Sequence, residues 1–299
     1  MRKKKNGLLF GVLVILLVVT ACNTGTQLTA LNQKGDDALM SGNTKSAMEA
    51  YEESISGYEK AGKNKECPVY TKAAFAAMQL KDTAKALQYL EKAKYTVSEN
   101  EKMWYGLALC YKHIDNLSKE MDALQTYKKK YPDGKNIADI NKELFLVYVE
   151  SENNDKAMKL WPELNVEQKA DPEIISEYFT VNKRQNNAAV CDSLASVLLK
   201  QNENSMQALE WKAEKYYDLA ENMYKKEMKA YENHKTRKQY AHLLKQLEIV
   251  TANYKKSLGY YKKLYKLSPE NKYARRLANI YFRLDDKKKA DYYRKKING

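Results

Sequence analysis

From residue 28 onward, apolar side chains recur three or four positions apart, in short blocks separated by polar turns. The turns read "SGN", "KD", "IDN", "ENN" and "LDD", and breaks of this kind fall about every seventeen residues. Spacings of three and four place the apolar positions on one helix face, so the pattern predicts short amphipathic helices joined in tight pairs. A continuous coiled coil is excluded, because its heptad seam needs helices that run on without such breaks. The start of the chain differs. Arg2 to Lys5 form a cationic cluster, and Gly7 to Ala21 follow with no charged residue.

The segment "MWYGLALCYKHIDNLSKEMDALQTYKKKYPDG", Met103 to Gly134, carries the organising motif. Trp104, Leu107, Ala108 and Tyr111 share one helix, Leu124 lies on the next, and Pro132 closes the unit. This resembles the tetratricopeptide repeat, W-x2-L-G-x2-Y…A-x3-F…P. Trp104, Leu107 and Tyr111 are expected between the helices, Ala108 at their close approach, and Pro132 where the second helix must stop. Glu120 stands where the repeat prefers alanine, so a looser helix contact is expected there. Further copies centre on Ala47, Ala86, Ala157, Val190, Ser257 and Ala290. With Glu120 included, these anchors are separated by 39, 34, 37, 33, 67 and 33 residues. Reading the step of 67 as two periods puts a degenerate repeat at about 204–236, as one long helix or as two joined near Asp218–Asn222. The resemblance implies an all-α solenoid of about eight helix-turn-helix repeats over residues 28–299, each burying its apolar face against its neighbours.

The apolar run of fifteen residues is shorter than the twenty or so that span a membrane, and it ends in Val19-Thr20-Ala21-Cys22. Small residues before a cysteine resemble the bacterial lipobox. By that resemblance residues 1–21 are a lipoprotein signal peptide, Cys22 is the acylated first residue, and 22–27 form a tether. Several acyl chains on one residue anchor firmly where a single chain does not. Asn23 is not the aspartate associated with inner-membrane retention, and no acidic cluster follows Cys22. The expected address is therefore the outer membrane of a Gram-negative envelope, lipid-anchored and facing the periplasm.

Charge is unevenly spread. Residues 212–299 hold 24 Lys/Arg against 10 Asp/Glu, whereas residues 22–211 hold 24 against 28. Behind a lipidated Cys22, the basic third points to envelope partners and away from nucleic acid. Cys67, Cys110 and Cys191 are odd in number, which argues against a disulfide framework, and the last two sit within apolar helical patterns. Only three histidines occur, none at metal-ligand spacing, and no nucleophile or phosphate-loop motif is present. The sequence therefore reads as a non-enzyme with no cofactor and no metal. Tetratricopeptide solenoids usually bind in a groove lined by the first helix of each repeat. By that resemblance the partner-binding candidates are Tyr105, Lys112 and His113 on one helix, with Arg275, Asn279, Phe282 and Arg283 on another. The Arg/Asn/Arg stripe resembles part of a clamp for an acidic peptide terminus, since guanidinium forks suit carboxylates. Phe75 and Phe179 are either groove contacts or core. The expected partner is another envelope protein or peptide. The alternative is glycan or cell-wall binding by the C-terminal third, where 13 of the 24 tyrosines lie between residues 216 and 293.

Overall fold

The computed structural model describes residues 25–298. The expected signal peptide and Cys22 lie outside the described residues. Fifteen α-helices and no strand occur among them: α1 (25–40), α2 (Thr44–Lys60), α3 (Tyr70–Gln79), α4 (Thr83–Ala93), α5 (Glu101–His113), α6 (Leu117–Lys130), α7 (Ile137–Glu150), α8 (Asn154–Leu160), α9 (Val166–Ala170), α10 (Pro172–Arg184), α11 (Ala188–Gln201), α12 (Met206–Asn233), α13 (Arg237–Leu267), α14 (Asn271–Arg283) and α15 (Lys287–Asn298). The fold is the expected all-α solenoid of tetratricopeptide-type repeats. Helix α1 already takes in residues 25–27, the end of the segment read as a tether.

One local device makes most of the turns. Gly42, Lys81, Asp115, Glu152, Asn186 and Asp285 all have positive φ, and an Asn or Asp follows each of them. The left-handed residue ends one helix, and the Asn or Asp begins the next. The side chains of Asn43, Asp82, Asn116 and Asp286 each accept a hydrogen bond from the backbone three residues on. These are the "SGN", "KD", "IDN" and "LDD" turns of the sequence.

The chain divides into two compact units between Glu152 and Asn153. In the first, α3 carries four alanines, Ala73, Ala74, Ala76 and Ala77, all fully buried. They let α3 lie close to α4, whose Ala86, Leu90 and Ala93 complete the contact. Met103, Leu107, Ala108, Cys110 and Tyr111 form the buried face of α5. Trp104 departs from expectation. It is only half-buried, donates from its indole nitrogen to Glu99 at 2.6 Å, and lies beneath the ammonium groups of Lys94 and Lys130. Glu120 departs too: the contact is not loosened, and the side chain is tucked in at 5% exposure.

In the second unit, α8, a 3-10 turn at Trp161–Glu163 and the short α9 lead into three hairpins, α10/α11, α12/α13 and α14/α15. The middle hairpin explains the step of 67. Helix α12 has 28 residues and α13 has 31, joined through His234–Thr236. Residues 206–233 are the one long helix of the two alternatives, with no break near Asp218–Asn222, and its partner α13 is long as well. One double-length hairpin therefore spans the stretch that the spacing reads as two repeats. Nothing between Met206 and Asn233 stops a helix: that stretch contains neither Gly nor Pro. Ser257, read as the start of a helix, sits mid-α13 and donates to the carbonyl of Ala213 at 2.8 Å.

Candidate functional site: a groove in the second unit

Helix α12 carries carboxylates at four-, four- and three-residue steps: Glu210, Glu214, Asp218 and Glu221. Helix α14 answers with Lys272, Arg276 and Arg283, so the two rows share facing helix surfaces. Lys272 donates to Glu210 at 2.8 Å, and Arg276 donates to Glu214. Arg283 grips Glu221 with two parallel bonds of 2.9 Å. Each of these three carboxylates also accepts a tyrosine hydroxyl: Tyr273 on Glu210, Tyr261 on Glu214 and Tyr254 on Glu221. Burial opposes ionisation of Glu221, but Tyr254 and Arg283 together hold its pKa below the usual range. The row fastens α14 to the long hairpin.

Asp218 is the exception. Among the described residues it has no hydrogen bond or ion pair, and burial, with Glu214 adding repulsion, raises its pKa. It lies on the wall of a cavity of about 640 Å³ between α10, α12 and α14. Trp211, Ala188 and Leu219 supply apolar lining, and Lys183 stands at the Glu210 end. Asp218 lies two helical turns beyond Glu210, about 12 Å along α12. Trp211 meets Phe179 edge-on at 5.6 Å, and its indole nitrogen is buried without a hydrogen-bond partner among the described residues. Lys215 is held by Asp192 at 2.9 Å. Once paired charges are set aside, the cavity offers apolar surface, one anion and one cation.

The expected groove residues fall in both units. In the first, Tyr105 is half-buried, and its pKa is raised by burial and by Asp139 and Glu143 of α7. Lys112 pairs with that same Glu143, while His113 is exposed at the end of α5. In the second, Arg275 and Asn279 are exposed, and Phe282 is 53% exposed beneath the guanidinium of Arg294. Arg283 does not stand free for an incoming carboxylate, because Glu221 fills its fork. Phe179 is core, whereas Phe75 is half-buried. The acidic row on α12 went unread in the sequence. The visible signal was the 4-4-3 spacing of its carboxylates against the 4-7 spacing of cations on 272–283.

The late tyrosines are mostly engaged. Tyr265 and Tyr281 both pack on Tyr293, and Tyr216 stacks on Tyr260 at 6.1 Å. Tyr240 and Tyr292 remain largely exposed. Cys67, Cys110 and Cys191 are all buried and free. Among the described residues, no three His, Cys, Asp or Glu side chains converge as a metal site.

No family model matches the sequence, and no curated protein matches it. Solved structures do. A Bacteroides ovatus protein whose assignment as protein-binding is itself provisional is 18% identical, covering 73% of this chain and 97% of its own, with a TM-score of 0.50. A tetratricopeptide repeat protein from Parabacteroides merdae is 14% identical, with 91% and 98% covered and a TM-score of 0.46. The C-terminal part of a repeat protein from Cytophaga hutchinsonii is 16% identical, with 89% and 93% covered and a TM-score of 0.48. At these identities the first likeness speaks to fold alone.

Proposed function

We propose that this chain is a lipid-anchored interaction scaffold of the bacterial outer membrane, not an enzyme, facing the periplasm and holding a segment of another envelope protein. The observation that carries the binding reading is the α10/α12/α14 cavity with its unpaired Asp218. An incoming Lys or Arg side chain satisfies Asp218, and its aliphatic stem covers Leu219 and Trp211. Lys183, at the far end, suits a carboxylate or backbone carbonyl of the same segment. The preferred ligand is thus a segment with a basic side chain, the opposite of an acidic terminus held by arginines. Anchoring through Cys22 rests on the sequence, and it raises the local concentration of the scaffold near membrane partners.

In-cell photo-crosslinking from Leu219 tests the site. A discrete crosslinked species is expected from the parent, with the yield reduced about tenfold by Asp218→Asn, in keeping with loss of one charge-assisted contact. A yield indifferent to Asp218 would reject this groove as the binding surface.

A further inference from the structure

The double-length hairpin extends past the rest of its unit. At 1.5 Å per residue, α12 and α13 are each over 40 Å long and α14 about 20 Å. The last links from α12 to α14 are Glu221 with Arg283 and the Arg283 guanidinium over the Tyr224 ring. On α13, the core cluster of the unit ends at Val250. Residues 225–249 therefore form an arm of two helices, held by its own contacts and standing roughly 15 Å clear. Within it Leu243 and Glu227 are buried, His242 meets Glu227 at 3.2 Å, and Tyr231 packs on Tyr240.

The surface of the arm is one-sided in charge. Residues 225–249 hold seven Lys/Arg against Glu227, Glu232 and Glu248. Lys225, Lys229, Lys235, Arg237, Lys238 and Lys245 are exposed and have no ion pair among the described residues. This contrasts with α14, where Lys272, Arg276 and Arg283 are all paired. Tyr240 and Leu244, 49% and 47% exposed, share a face of α13 with Arg237. Lys238 and Lys245 lie together to one side of that face.

The geometry points to the arm as a docking element for an anionic lipid surface. The six unpaired cations are exposed and spread over both helices and the turn that joins them, which suits a fluid layer of headgroups better than one shaped protein site. Each cation brought near such a surface contributes favourably, and the attraction falls off within a Debye length. A tyrosine with an adjacent leucine on the same face suits the interfacial zone, with lysine stems reaching back toward the phosphates. This inference is independent of the groove reading, and Cys22 need not be acylated for it to hold.

Vesicle sedimentation of the full chain tests it, using phosphatidylcholine vesicles with and without phosphatidylglycerol. The comparison cancels whatever the apolar run at 7–21 contributes to both. We expect phosphatidylglycerol to raise the bound fraction in low salt, and the triple variant Lys235→Gln/Arg237→Gln/Lys238→Gln to lower the partition coefficient at least about tenfold. Leu244→Ser should weaken what binding survives high salt. Lys287→Gln/Lys288→Gln/Lys295→Gln removes the same charge from α15 and should have little effect. Equal loss in both triple variants would show that net charge alone is read, and the proposal fails. It also fails if the arm variant binds like the parent, or if a soluble polyanion such as heparin is bound while the vesicles are not.

Discussion

Glu120 lies in the first turn of α6, with the charges of Lys112, Glu143 and Glu150 close enough to act on it. Burial is the main reason its pKa is pushed up to about 7, with the two glutamates of α7 adding to it and Lys112 opposing. The folded state thus binds this proton more tightly than the unfolded chain does. The contribution of Glu120 to stability falls as pH rises from about 4.5 to about 7, by about 3 kcal/mol at most. Glu120→Gln should therefore melt above the parent at pH 8 and close to it at pH 4.5; equal melting curves at both would contradict this. Gly35 makes a second residue-scale case. A Cβ there would sit 2.3 Å from the ring of Tyr51, whose hydroxyl is fixed on Asp36 at 2.7 Å. Although alanine is the better helix former, Gly35→Ala should destabilise by about 1–3 kcal/mol through overpacking. Denaturant unfolding with an unchanged m value checks it.

Among the elements, the short hairpins were legible in the sequence; of the long one, α12 was legible only as one of two alternatives and the unbroken α13 was not. The turn at Lys81–Asp82 could be read because a left-handed residue and an N-cap leave a local trace. Lys81 adopts φ 60° without being glycine, so Lys81→Gly should be neutral to stabilising by up to about 1 kcal/mol, and Lys81→Val clearly destabilising. The α12/α13 hairpin leaves no such trace. Its length is set by the absence of helix stops over 206–233, and a step of 67 residues is the same for one double-length hairpin as for two short ones. The groove was hidden for a related reason. Whether Arg283 is a free ligand or a structural clasp depends on Glu221, 62 residues away, and spacing along one helix cannot report a partner on another. Tyrosine content has the same blind spot: that Tyr254 and Tyr261 serve glutamates on α12 depends on partners 33 and 47 residues away. The arm carries its own prediction. Its amides between 225 and 249 lack a third layer, so they should exchange with deuterium faster than those at 208–220 and 254–264. Uniform protection along both helices would argue against a free-standing arm.

At the scale of the whole molecule, the lipid address at residues 16–25 and the groove of the second unit are separate features, tested separately. Cys22→Ala should abolish metabolic lipid labelling and leave the precursor uncleaved, whereas persistent labelling would remove the anchor and leave the groove untouched. The groove claim also has an electrostatic corollary. Protonation of Asp218 removes the anion, so affinity for a basic segment should weaken as pH falls toward its raised pKa. The most direct test of the scaffold claim is selection of extended peptides from a random library on the purified chain, with Asp218→Asn as counter-selection. Enrichment of segments with a Lys or Arg, bound by the parent and lost by the variant, is the predicted result. Enrichment that survives Asp218→Asn, or a preference for acidic termini, would contradict the account.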